Sequence, residues 1–163
     1  CYTEMAAEKI QAQLNSLFDE NIVDVHNIKD VSLGRTADYD VIIFGISTWD
    51  FGELQEDWES HWEEAHQLNL EGKTVALYGM GDQLGYADWF QDALGMLHDA
   101  IAPSNCTIIG YCPNEGYEFT ASKALTEDKS HFLGLSLDDE NQYDKSEERI
   151  AAWCEQLLIS LAG

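Results

Sequence analysis

The sequence predicts an α/β domain, a doubly wound parallel sheet with helices on both faces. Three observations predict it. Short apolar runs alternate with amphipathic stretches of helical period along the chain. The runs are rich in β-branched residues, and Val41 to Ile46 is the clearest, with the pattern of a strand covered on both sides. Two of them also lead straight into loops carrying glycine, Asp and aromatic side chains. Open α/β sheets place their ligands there, just beyond the carboxyl ends of strands.

The elements follow in order. Thr3 to Leu17 is predicted as a helix, with Ala6, Ile10, Leu14 and Leu17 on one stripe and Glu4 and Glu8 in the first turns. Ile22 to Ile28 alternates and is predicted as a strand near an edge. Residues 31–38 are a loop or turn before the central strand at 41–46 and its loop at 47–54. Gln55 to Leu68 is predicted as one helix, with Trp58, Trp62, Ala65 and Leu68 inward. Lys73 to Gly79 is a second buried strand, and Met80 to Tyr86 its exit loop. Trp89 to Ile101 is a helix with Phe90, Ala93, Leu94 and Leu97 on its apolar face. Cys106 to Tyr111 is a third strand. The polar stretch 112–130 is long for a connection, and such loops are often functional. His131 to Leu137 returns to a strand pattern, and Ser146 to Leu161 is the closing helix. No internal boundary appears, so residues 1–163 are expected to form a single domain.

Composition narrows the function. Acidic residues outnumber Lys and Arg 31 to 8, for a formal net charge of −23. Such a chain repels phosphate backbones and anionic lipid, which argues against nucleic acid and membrane surfaces as partners. Its natural complement is a basic protein. The cysteines at 1, 106, 112 and 154 form no CxxC pair and are expected as free thiols in a reducing cytoplasm. No stretch reads as a signal peptide, and no apolar run is long enough to cross a bilayer.

Most catalytic motifs are absent. There is no GxxxxGK[ST], and Gly79-Met80-Gly81 leads into Asp-Gln rather than a dinucleotide fingerprint. Asp138-Asp139-Glu140 with Asp144 lacks the glycine and terminal Glu of a calcium loop and reads as a solvated acidic turn. His61 and His66, five apart on a helix, diverge and make no zinc motif. Thr3 offers a hydroxyl beside the free N–H groups of a helix start, a fair phosphate site, although an ordinary cap explains it more simply. Trp49 and Tyr86 lie just past the ends of successive strands. Two flat side chains across a cleft suit a flat aromatic ligand such as a flavin.

At this point the chain resembles a known family. Thr48-Trp49-Asp50-Phe51-Gly52-Glu53 is similar to the first flavin loop of long-chain flavodoxins. Gly81-Asp82-Gln83-Leu84-Gly85-Tyr86 is similar to the second, and is the more specific of the two. Tyr117-Glu118-Phe119 lies in what resembles the insertion, about 112–130, that splits the last strand. The resemblance runs from Cys1 to the end. It implies the flavodoxin-like strand order 2-1-3-4-5, carried over with the family.

It also implies FMN as cofactor. Trp49 and Tyr86 would sandwich the isoalloxazine ring, with Tyr86 more nearly parallel. Thr48 would reach the phosphate or ribityl end. The backbone of Asp50, Phe51 and Gly52 would meet the flavin N5. Gly81 opens the second loop, and backbone groups of Asp82, Trp89 and Gln91 would hold the pyrimidine edge. Thr3 matches the last threonine of the phosphate loop. The implied role is a low-potential one-electron carrier with no substrate chemistry of its own, serving basic redox partner proteins through transient contacts. Carboxylates around a flavin and aromatic walls against it both disfavour the reduced anionic form, which lowers the potential.

The family begins with a strand and a Ser/Thr-rich phosphate loop that this sequence does not contain. That strand is expected between the segments at 22–28 and 41–46. Two other readings stay open on sequence alone: an FMN-dependent NAD(P)H reductase, for which no nicotinamide site is evident, and a flavin-free binding or signalling module of the same fold.

Overall fold

The computed structural model describes residues 2–163. Its centre is β1 (Val41–Trp49), paired in parallel with β3 (Thr74–Met80) from Val41↔Thr74 to Ser47↔Met80. The opposite edge of β3 takes two short strands end to end. β4 (Thr107–Ile109) pairs with Thr74–Ala76, and β7 (Leu135–Leu137) pairs with Tyr78–Met80. One strand position is thus split between two stretches of chain. The intervening chain forms a separate antiparallel pair, β5 (Cys112–Pro113) with β6 (His131–Phe132).

Helices cover both faces. α1 (Tyr2–Phe18) and α5 (Tyr143–Ala162) pack against each other, while α4 (Asp92–Ile101) packs on β1 and β3. Of the residues predicted inward, Ala6, Ile10 and Leu14 on α1 and Ile150, Trp153, Cys154 and Leu157 on α5 are buried, whereas Leu17 and Leu158 are half-buried and Leu161, also predicted inward, is exposed at the end of α5. Trp153 also donates its indole N–H to the Gly110 carbonyl at 2.7 Å, so its polar atom is satisfied inside the core. Gly110 has φ +83° there, and a Cβ would stand 2.9 Å from the Trp153 Nε1.

Several predicted elements change. Ile22–Ile28 is not a strand. It is held by side chains instead: Gln11 donates to the Val23 carbonyl, and Asn15 Oδ1 accepts from the N–H groups of Ile22 and Val23. A strand is defined by its ladder, and this segment has none because a groove of about 970 Å³ separates it from β1. Ala7, Ile10, Val23, Val25 and Ile43 line that groove. Burial along β1 is uneven. Ile42, Phe44 and Ile46 are buried, whereas Val41 stays 40% exposed.

The predicted helix 55–68 is two single-turn pieces, α2 (Glu56–Ser60) and α3 (Trp62–His66). His61 breaks them with φ −109° and ψ 12°, its ring nitrogen bonding back to the Asp57 carbonyl. The inward side chains are still those predicted, with Trp58 donating to the Gly45 carbonyl at 2.8 Å. α4 starts three residues later than predicted, since Ala87–Trp89 is a 3-10 turn and Gln91 takes the left-handed φ of 62°. Cys106, Cys112 and Cys154 are free thiols; Cys1 lies outside the described residues. No helix among the described residues is long and apolar enough to cross a membrane.

Candidate functional site

The carboxyl ends of β1 and β3 carry the two loops singled out from the sequence. The first is a hairpin: β1 turns through Asp50, Phe51 and Gly52 into β2 (Glu53–Leu54), with Trp49 opposite Glu53. Asp50 has φ +45° and Gly52 φ +83°. Aspartate tolerates the left-handed region better than most residues, and Gly52 has a second reason to be glycine. A Cβ there would lie 2.9 Å from Asp92 Oδ2 and 3.1 Å from the Trp89 ring. The hairpin is therefore seated on the start of α4. Thr48 completes the seat by accepting the Ala93 N–H at 3.0 Å.

The second loop is tied internally. Asp82 Oδ1 accepts the N–H groups of Leu84 and Gly85, and Asn141 donates to the same carboxylate at 2.7 Å. Below it Gln83 is buried. It donates from both its backbone and its side chain to Asp138 Oδ2, and accepts the Glu118 N–H. Gln91 is buried too. Its side-chain amide donates to the carbonyls of Gly79 and Leu137 and ties strand ends together, while its Oε1 is buried without a hydrogen-bond partner.

The loops meet at Phe51. Its ring lies 6.2 Å from that of Tyr86 and 5.0 Å from that of Trp89, both edge to face. Trp49 and Tyr86 do not stack on each other among the described residues, and they are 45% and 37% exposed. Each thus presents a ring to solvent at the strand ends. The head of α1 arrives at the same place: the Thr3 hydroxyl contacts that of Ser47 on β1. Thr3, Thr48–Gly52, Gly81–Tyr86, Trp89 and Gln91 all lie toward one end of the sheet.

Sequence reasoning missed four residues here. Ser47, just past the predicted strand, is the hydroxyl that meets Thr3. Asp92 is 2% exposed, accepts the Lys123 N–H at 2.8 Å and lies under Gly52. Burial pushes its carboxyl pKa up, opposed by the Lys123 contacts. Gln83 and Asp138 support the second loop from below. Ser47 and Gln83 left a trace in the sequence, since Ser47 opens the predicted loop at 47–54 and Gln83 lies inside the second loop motif. Asp92 and Asp138 act through contacts with distant segments.

A family model for flavodoxin matches residues 1–153. The chain belongs to the flavodoxin family. It is 57% identical over 162 residues to flavodoxin 2 of Salmonella typhi, covering 99% of this chain and 91% of that one. It is 41% identical over 155 residues to a flavodoxin of Synechococcus elongatus, covering 95% and 88%. Among solved structures it is similar to Fusobacterium nucleatum flavodoxin bound to flavin mononucleotide, with a TM-score of 0.87 at 22% identity, covering 97% and 90%. Oxidised flavodoxin 2 of Bacillus cereus aligns with a TM-score of 0.70 at 21% identity. At these identities the structural likeness speaks for the fold, which is flavodoxin-like.

The residues present suit FMN on grounds of this structure. The site offers two exposed rings for a flat ligand, hydroxyls at a helix start for an anion, and a hairpin whose Gly52 admits no side chain.

Proposed function

We propose that this chain binds FMN at the β1 and β3 ends and works as a one-electron carrier between redox partner proteins. The observation that carries this reading is the convergence of Trp49, Tyr86 and the Thr3–Ser47 pair on one end of the sheet. Bound FMN would supply the reversible electron chemistry. The chain's residues would hold it. Trp49 and Tyr86 would stack on the ring. Backbone groups of Asp50, Phe51 and Gly52 would meet one ring edge, and those of Asp82, Trp89 and Gln91 the other. The first turn of α1 with Thr3 would face the phosphate. Thr48 accepts the Ala93 N–H and keeps its own proton to donate toward the ligand.

The same end of the sheet is rimmed by exposed Asp50, Glu53 and Asp88. Among the described residues Arg35–Asp38, at 3.3 Å, is the one Lys or Arg ion pair with a carboxylate, so this rim is not neutralised internally. Its field disfavours added negative charge on the cofactor, lowering the potential, and steers basic partners into brief contact. A reducing cytoplasm suits the free thiols.

The test is titration of FMN into the purified chain, followed by quenching of flavin fluorescence. Stoichiometric quenching is the expected result. A chain that fails to quench would refute the proposal.

A further inference from the structure

One buried hydroxyl crosses the molecule toward this site. Tyr78 stands in β3 opposite Gly45 of β1. Its ring passes directly over Gly45: a Cβ there would lie 2.1 Å from Tyr78 Cζ and 2.3 Å from Oη. The empty side of the glycine is thus the corridor through which the phenol reaches α1, where Oη donates to the Thr3 carbonyl at 2.8 Å. Thr3 is then fixed twice, by its carbonyl to β3 through Tyr78 and by its hydroxyl to the end of β1 through Ser47. A glycine inside an apolar strand run commonly marks such a close approach.

The consequence concerns the first turn of α1. Its N–H groups have no acceptor within the helix and point out of its start. Their value to an anion depends on direction, because a hydrogen bond weakens steeply as it bends. A carbonyl in that turn held from the sheet fixes the turn's direction. Tyr78 is 4% exposed, and burial pushes its phenol pKa up, so it stays a donor throughout the working pH range.

We propose that Tyr78, through the corridor at Gly45, is a positioning residue for the phosphate end of the FMN site. The proposal rests on the FMN reading and goes beyond it by naming a residue that touches no part of the cofactor. Its effect would fall on the phosphate alone, because the flavin ring would lie against Trp49 and Tyr86 instead.

The experiment compares wild type with Tyr78→Phe, which keeps the ring and removes only the hydroxyl. FMN and riboflavin, the same flavin without phosphate, are each titrated by fluorescence quenching. FMN affinity is expected to fall about three- to tenfold, the range of one net hydrogen bond, with riboflavin affinity unchanged. Without any ligand, backbone amides in the first turn of α1 are expected to exchange faster with solvent in the variant. Equal losses for both flavins would make Tyr78 a general structural residue and overturn the proposal. So would a wild-type preference for FMN that survives the substitution, or unchanged amide exchange. Equal affinity of the wild-type chain for FMN and riboflavin would instead overturn the phosphate-end reading itself, and this proposal with it.

Discussion

Phe132→Ala tests how the insertion supports the site. Phe132 is fully buried at the centre of an aromatic cluster, with ring centroids 5.7 Å from Phe90, 5.0 Å from Tyr117 and 5.6 Å from Phe119. Truncating a buried Phe costs about 3–5 kcal/mol. Three aromatic neighbours, each worth about 0.5–1.5 kcal/mol beyond area, put this site at the upper end, about 4–5 kcal/mol. For a chain of this size that is a drop in Tm of about 8–20 °C, read by thermal and urea denaturation. The cluster also braces the second loop. Phe90 donates its N–H to the Ala121 carbonyl, Thr120 and Ala121 donate theirs to the Ala87 carbonyl, and Lys123 donates to Asp92. FMN affinity should therefore fall together with stability. A loss below about 2 kcal/mol would refute the packing argument, given the usual cost of such a truncation. A full loss of stability with wild-type FMN affinity would refute the bracing.

Three more outcomes follow from the geometry. Asp92→Asn keeps the acceptor for Lys123 and removes a buried charge whose folded pKa is raised by burial. A raised carboxyl pKa means the native state favours the proton, so Asp92 costs stability once pH passes its folded pKa. The variant should match wild type in acid and exceed it at neutral pH; a variant less stable at pH 7 would contradict this. Trp49→Ala is expected to weaken FMN by about 1–3 kcal/mol, a typical value for one stacked ring, in a fluorescence titration. Electron transfer to a basic partner should slow as salt rises from low to physiological strength in stopped-flow, and an indifferent rate would remove the charge argument.

The sequence by itself determined the α/β class, the inward stripes of α1 and α5, and the two loops at 47–54 and 80–86. These are local properties. Periodicity states which side chains turn inward, and Asp, Gly and aromatic residues after a strand mark a ligand loop wherever the strand goes. It did not determine whether Ile22–Ile28 is a strand, because alternation specifies a pleat and a ladder needs a neighbour. It could not divide 55–68 at His61, since the break is a backbone angle within a continuous apolar stripe. Nor could it find what Tyr78 and Asp92 do, or that Asp138, read as part of a solvated turn, is buried and bonded to Gln83. Tyr78 and Thr3 are 75 residues apart, and Gln83 and Asp138 are 55. What such residues do is fixed by the direction of a side chain across the sheet, and only the tertiary structure supplies that.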